Sequence, residues 1–330
     1  LMLFTDPRFF VWVWQMEDEI HQMCPIVWWH VWDNRPTPRF NDTLYDSTDL
    51  LNCHSYLTYE MCSENFPEKT NFVPHAVPDD LFFQIDEGAI KQNRESLLGD
   101  QKKDDFVAIW VNRNAKRKRP SDLLASWKIF LDNLEKKHGH RNATLIMHTE
   151  PLDPEGPNLF VLAEELGVSD HIMFSRDRLE FDKMNVLYNI ADICINCSYA
   201  EGFGLSTLEA MQVGTPIVAV KTGGLSRQVI DHRDGTENGV ALDVDIKTLV
   251  GSQQVPYIYE DYTSPENLAD AYMKMFEMSD EEKKALSKKV KEYVNSEFSM
   301  QKTIDLWDET LSDCIDNWKQ RYQTYDCTTF

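Results

Sequence analysis

Two carboxylates with seven residues between them frame a short glycine-containing turn, Glu201-Gly202-Phe203-Gly204-Leu205-Ser206-Thr207-Leu208-Glu209. The turn falls between an apolar run, Asp192 to Cys197, and a segment with helical character, Leu205 to Gln212, which Gly214 closes. Small residues let the backbone turn tightly there. The helix that follows presents the unsatisfied N–H groups of Gly204, Leu205 and Ser206, which suit an anion, typically a phosphate. Side chains on a helix tilt toward its N-terminus, so Glu209, one turn in, is aimed back at the same crevice, and Glu201 approaches it from the loop. One site would then offer backbone donors for a diphosphate and two carboxylates for sugar or ribose hydroxyls. Read alone, Gly202-x-Gly204 is equally a plain tight turn and Glu209 a dipole partner.

A second group of residues points to the same edge. Asn112-Arg113-Asn114-Ala115-Lys116-Arg117-Lys118-Arg119 follows the apolar run Phe106 to Val111 and carries five basic residues within seven positions. Parallel strands bring their carboxyl ends to one edge of a sheet, so this loop and the Gly202 turn are predicted to face one crevice. Arginine grips a diphosphate with paired bonds and lysine adds a compact charge. A dinucleotide fold fits less well, because Thr207 stands where G-x-G-x-x-G needs its third glycine and the turn comes late in the series.

The elements that must position these residues alternate as strand and helix. Predicted strands at 106–111, 143–147, 171–174, 192–197 and 216–220 are interleaved with helices at 121–137, 159–166, 184–191 and 205–212, which is the pattern of a parallel sheet with crossover helices. Earlier in the chain, strands are predicted at Ile26 to Trp29 and Leu50 to Cys53, in a stretch holding five of the nine tryptophans. Residues 86–105, polar and mixed in charge, read as a connection between two units. The tail from Ser264 onward reads as helical, with Ser279-Asp280-Glu281-Glu282 resembling a capping box.

Composition sets the bounds. A chain of 330 residues with 42% hydrophobic content suits about two globular domains. It contains no apolar run long enough to span a membrane. A net charge of −22 repels polyphosphate chains and argues against a nucleic-acid partner. Seven cysteines without framework spacing suggest a reducing compartment, and Cys194 and Cys197 read as buried core thiols.

Glu201 and Glu209, with the core Glu201-Gly202-Phe203-Gly204-Leu205, resemble the E-x7-E motif of retaining glycosyltransferases of the GT-B fold, glycosyltransferase family four. Arg113 and Lys118 are similarly spaced to that family's diphosphate-gripping pair, and Gly223-Gly224-Leu225 resembles its G-G loop. The resemblance runs from about residue 50 to 240. It includes Val73-Pro74-His75-Ala76-Val77, where His75 and Ala76 replace the family's usual Asn and Gly.

The resemblance implies an α/β fold of two Rossmann-like domains facing a cleft, with the N-terminal domain incomplete. Residues 1–85 would form part of the acceptor domain, with a helix at about 300–330 packing back on it. Residues 86–104 would be the linker and 105–299 the nucleotide-sugar domain. Arg113 and Lys118 would neutralise the leaving diphosphate, and Glu201 would hold the transferred sugar. Gly202, Phe203, Gly204, Leu205, Ser206 and Glu209 would bind the donor. His30 matches the family's amino-domain histidine near the sugar, and Asp33 and Arg35 share its loop on the acceptor side.

The implied activity is retaining transfer of a hexose, mannose or glucose, from GDP- or UDP-hexose to a glycan, lipid or other hydroxyl acceptor. It needs no metal and no covalently held cofactor. A non-catalytic scaffold, a glycan-binding module, and a same-fold epimerase or phosphorylase remain alternatives. The family's opening strand and Gly-rich loop do not occur before His30, so the chain is expected to be a fragment. The resemblance also raises a peripheral membrane contact through the preceding region, and a cytoplasmic location is expected.

Overall fold

The computed structural model describes residues 1–4 and 6–321. Its larger sheet has six parallel strands: β5 (Phe106–Val111), β6 (Ala143–His148), β7 (Ile172–Ser175), β8 (Ile193–Asn196), β9 (Ile217–Val220) and β10 (Gly239–Leu242). Their spatial order is β10-β9-β8-β5-β6-β7. The chain builds outward from β5 through β6 to β7 and then returns to place β8 on the other side of β5. The order therefore reverses between β5 and β8, and a crevice opens at their carboxyl ends.

Both faces of this sheet are covered at its centre, which is why β5, β6, β8 and β9 read as unbroken apolar runs rather than alternating ones, while the edge strand β7 is half-buried. Along β5, Phe106, Ala108 and Trp110 enter a core with Trp127, Phe130 and Leu145, while Val107 and Ile109 enter an opposite core with Tyr188, Leu208 and Met211. Cys194 and Cys197 are fully buried among these side chains, as expected.

The smaller sheet is also parallel, in the order β1 (Met2–Phe4), β2 (Val27–His30), β3 (Leu50–Cys53), β4 (Thr70–Phe72). One face packs Trp28 and Leu51 against Val13, Trp14 and Tyr45. The other packs Val27 and Leu50 against Cys314 and Trp318 of the long helix Met300–Arg321. The Asn52 amide donates to Thr310 Oγ1 of that helix at 2.9 Å.

Several elements depart from the sequence reading. The stretch taken as a plain connection contains a twelve-residue helix, Glu87–Leu98, whose N-cap Asp86 accepts from the Ala89 amide. Most of its residues favour helix, but it buries none of them and so shows no apolar stripe. Arg94 anchors it, donating to the carbonyls of Ile190 and Asp105 and to the Asp192 carboxylate. Strands β1 and β4, three residues each, are too short to show a period. Residues 246–262 form an antiparallel hairpin of β11 (Ile246–Val250) and β12 (Ile258–Tyr262). The Ser279 capping box is present with both of its bonds. Among the described residues no helix is long and apolar enough to cross a membrane. The tail residues 322–330 of the expected C-terminal helix lie outside the described residues.

Candidate active-site cleft

At the carboxyl ends of β5 and β8 the basic loop and the glycine turn meet. The Glu201 side chain is nearly buried, and the Lys118 ammonium donates to its Oε2. Ser198 Oγ at 3.3 Å and the Asn196 amide at 3.5 Å share that oxygen, and Arg117 lies 3.8 Å from Oε1. Burial alone would raise the pKa of this carboxyl. The charges of Lys118 and Arg117, with the hydrogen bonds, outweigh it and hold Glu201 below the usual range. It is an anion fixed by two cations.

Gly204 begins the helix Leu205–Gln212 at φ +93°, a conformation that an L side chain rarely adopts, and no side chain caps the helix. Its first-turn N–H groups therefore face the cleft, whose wall includes Gly202, Phe203, Gly204, Leu205 and Ser206. The turn is braced from behind by Gln228, which donates to the Phe203 carbonyl at 2.8 Å, and by Thr207, which donates to the Gly204 carbonyl at 2.7 Å. Gly223 and Gly224 pack directly beneath, and the Gly224 amide donates to the Glu201 carbonyl. Glu209 sits one turn into the helix and accepts from the Tyr188 hydroxyl at 2.5 Å. Burial raises its pKa, with the Tyr188 bond opposing.

The smaller sheet closes the other side with Phe4, Val31, Asp33, His54 and His75, leaving a cavity of about 390 Å³. The two halves nearly touch: a Cβ on Gly202 would lie 2.4 Å from Val31 Cγ2 and 2.8 Å from Asp33 Oδ1. Arg117 crosses the gap to Asp33 at 3.5 Å. The Asn34 amide and the Thr222 hydroxyl each donate to Asp261 Oδ2 at 2.7 Å. The His54 and His75 rings lie 4.3 Å apart, and His75 packs edge-on to Phe203. Burial pushes the His75 pKa down to about 4. Burial and the neighbouring His75 push His54 well below its ordinary value.

A model of the family described as Glycosyl transferases group 1 matches residues 93–293. The chain belongs to that family. Among curated relatives, a D-inositol 3-phosphate glycosyltransferase of Corynebacterium jeikeium is 30% identical over 207 residues, covering 61% of this chain and 46% of that protein. A D-inositol 3-phosphate glycosyltransferase 2 of Catenulispora acidiphila is 40% identical over 82 residues, covering 25% and 19%. The chain thus spans less than half the length of these relatives. Among solved structures, HepE of Anabaena, crystallised with UDP and glucose, superposes with a TM-score of 0.70 at 18% identity over 94% of this chain and 78% of that one. Sucrose-phosphate synthase of Thermosynechococcus elongatus superposes with a TM-score of 0.62 at 18% identity, over 93% of this chain and 71% of that one. These likenesses establish a GT-B-like fold.

Within this group 1 glycosyl transferase fold, the sequence-predicted residues separate. Glu201, Lys118, Gly202 to Ser206 and Asp33 line one cleft, and Glu209, paired with Tyr188, is not among its lining residues. Arg113 is not brought in. Its guanidinium turns to Asp153 at 2.7 Å and Glu155 at 3.1 Å, on the next loop of the sheet. His30 also misses the cleft. It shares the face of β2 with Trp28, two residues earlier, so it points into the core, fully buried, with its ring 4.0 Å from that of Trp28 and Nε2 2.9 Å from the Tyr45 hydroxyl. Arg35 is held outside by Glu60 and Glu64.

Arg117, His54 and His75 are polar groups at the cleft that the sequence barely marks. Arg117 was one cation among five, with nothing in the spacing to mark it. His75 stands out in sequence only as a departure from the family's usual Asn. His54 immediately follows the carboxyl end of β3, and that position was the available signal.

Proposed function

We propose that the chain forms the donor pocket and facing acceptor surface of a retaining glycosyltransferase, moving a hexose from a nucleoside diphosphate sugar to a hydroxyl acceptor. The observation that carries this is the buried Glu201 carboxylate gripped by Lys118 beside an uncapped helix start. A sugar diphosphate entering there would meet Lys118 and the first-turn N–H groups at its phosphates. Glu201 would accept from hydroxyls of the transferred sugar, and Glu209 from the ribose. As the bond from the anomeric carbon to the diphosphate breaks, negative charge grows on an oxygen that faces fixed donors. The acceptor oxygen forms its bond on the same face, and its proton passes to the departing diphosphate. Arg113 would join the grip only by leaving Asp153. Residues 105–299 would carry the donor and residues 1–85 the acceptor, and the reading calls on no metal.

The names of the curated relatives and the UDP and glucose bound to HepE support this reading. The position of Arg113 and His30 outside the cleft favours a second one, a nucleotide-binding module that does not transfer. Calorimetric titration with UDP and GDP, with and without magnesium, followed by turnover of radiolabelled UDP-glucose and GDP-mannose, separates the two. Saturable, metal-independent binding that Lys118→Ala weakens, together with turnover, supports transfer. Binding without turnover favours the module, and no binding by the folded chain overturns both.

A further inference from the structure

Beside the donor cleft lies a second pocket of about 280 Å³ that shares Val31 and Asp33 with it. Its inner wall is the loop after β2, where Trp32 is fixed by its backbone: its amide donates to Thr58 Oγ1 and its carbonyl accepts from the same hydroxyl. Its outer wall is Val255 and Ile258 of the hairpin, and Asp6, Arg8 and Phe9 close the end. The hairpin is strapped to the inner wall at several points. The Tyr259 amide donates to the Arg35 carbonyl at 2.8 Å, the Tyr257 hydroxyl accepts from the Arg39 amide at 3.1 Å, and Arg8 donates to Gln254 at 3.3 Å. Concave apolar walls joined to a few oriented polar groups suit a small ligand. The shared Asp33 places such a ligand against whatever occupies the donor cleft.

The charges decide which ligand. Residues 1–85 hold four basic side chains against thirteen acidic ones. The three arginines are engaged: Arg8 by both oxygens of Asp6, Arg35 by Glu60 and Glu64, and Arg39 by Asp42. Lys69 donates to the Asp46 carbonyl. A phosphate entering the second pocket would meet Asp6 and Asp33, and the two cations beside it are already engaged, Arg8 by Asp6 and Arg117 by Asp33 and Glu201, so it would have to displace a carboxylate from one of them. Specificity of this kind comes from what the site penalises as much as from what it attracts. An uncharged sugar meets no such conflict, since its C–H faces can lie on Phe9, Val255 and Ile258 while its hydroxyls reach Asp33 and Arg8.

From this we infer that the second pocket is the acceptor site and that it takes an uncharged carbohydrate, unlike the phosphorylated acceptor in the curated relatives' name. The word acceptor rests on the transfer reading above, whereas the preference for an uncharged sugar does not. The test uses the full chain and saturation-transfer NMR with methyl α-D-glucopyranoside and methyl α-D-mannopyranoside against glucose 6-phosphate and mannose 6-phosphate, with and without UDP. The expected result is binding of a methyl glycoside, with its phosphorylated counterpart weaker by at least about tenfold. Val255→Trp, which fills the pocket, and Phe9→Ala, at an exposed position, both weaken glycoside binding and leave UDP affinity unchanged. Asp6→Ala, which releases Arg8, narrows the gap between the two classes.

Equal or tighter binding of the phosphorylated sugars overturns the inference. So does the absence of glycoside binding, or indifference to both pocket variants. Failure of the wild-type chain to bind UDP would instead overturn the donor reading, and the sugar comparison would still be read.

Discussion

The loop after β5 packs five basic residues into seven positions, one more than the first 85 residues contain altogether. Across one cleft, the larger sheet offers cations and uncapped N–H groups, while the smaller offers aromatic rings, two uncharged histidines and carboxylates. The contrast fits a reaction in which one partner carries a diphosphate and the other a hydroxyl. It also shows that a cluster of like charges is not one device. Arg119 is buried, paired with Asp122 and stacked under Tyr199 and Tyr262, so it serves the fold. Arg117 reaches across the cleft, Lys118 enters it, and Arg113 leaves it.

The contrast breaks most sharply at its cationic centre. Lys118→Ala and Glu201→Gln are each expected to lower kcat/KM by about 10²–10³-fold, because each removes a fixed partner of developing charge or of the sugar. Phe9→Ala on the facing surface should raise KM for the acceptor and leave kcat near the wild-type value. Steady-state kinetics on the three variants checks this. Equal losses in kcat from both sides would end the division of labour.

How much of this was legible in sequence follows the same division. Strands β5, β6, β8 and β9 could be read because burial on both faces makes them continuous apolar runs, β7 from its short apolar segment although it is only half-buried, and the Glu201 turn because its glycines and carboxylates have fixed spacing. The smaller sheet could be read only in its middle. Strands β1 and β4 have three residues each, and the helix 87–98 buries nothing that would mark a period. His30 was placed by similarity of position, yet strand alternation from Trp28 puts it in the core, where an aromatic neighbourhood fully encloses it. For Arg113 the spacing matched, and what took it elsewhere is Asp153, forty residues away in sequence and not visible in any local pattern.

The next effect concerns how the halves interlock. Gly223 has φ +48°, and a Cβ there would lie 1.9 Å from the Glu201 carbonyl oxygen and 2.6 Å from that of Asp33. Gly223→Ala should therefore cost about 3 kcal/mol, combining strain with displaced backbone. Gly139, at φ +79° with open space around it, should cost about 1 kcal/mol on the same change. Urea denaturation of the two variants measures the difference, and equal costs would mean that the close approach of the two loops contributes nothing to stability.

The histidines of the smaller sheet give a pH signature that begins above the carboxylate range, where the Glu201 carboxylate of the facing wall stays ionised. In the folded chain His75 titrates at about 4 and His54 also lies well below its ordinary value. Between about pH 6.5 and 4 the unfolded chain binds protons that the folded chain refuses, so stability is intact above 6.5 and falls as pH drops through this window. The slope is at most about 1.4 kcal/mol per pH unit for each histidine. His75→Asn, which restores the family's usual residue, should flatten the fall between pH 6.5 and 5 in denaturation curves. An unchanged slope would remove His75 from the account.

The smallest effect decides to which side Arg113 belongs. It lies at the end of the cationic loop, but its guanidinium is shared by Asp153 and Glu155 rather than by anything in the cleft. If the donor diphosphate recruits it, breaking the Asp153 contact must precede binding, and Asp153→Asn should tighten UDP by a few-fold, the scale of a surface ion pair. Arg113→Ala should then weaken UDP, and Asp153→Asn should have no further effect in the Arg113→Ala background, because the gain acts only through the released guanidinium. Calorimetry on the wild type, both single variants and the double variant closes that cycle. If Asp153→Asn acts equally with and without Arg113, the aspartate influences the nucleotide through its own charge, and Arg113 is a surface residue beside a cleft run by Lys118 and Arg117.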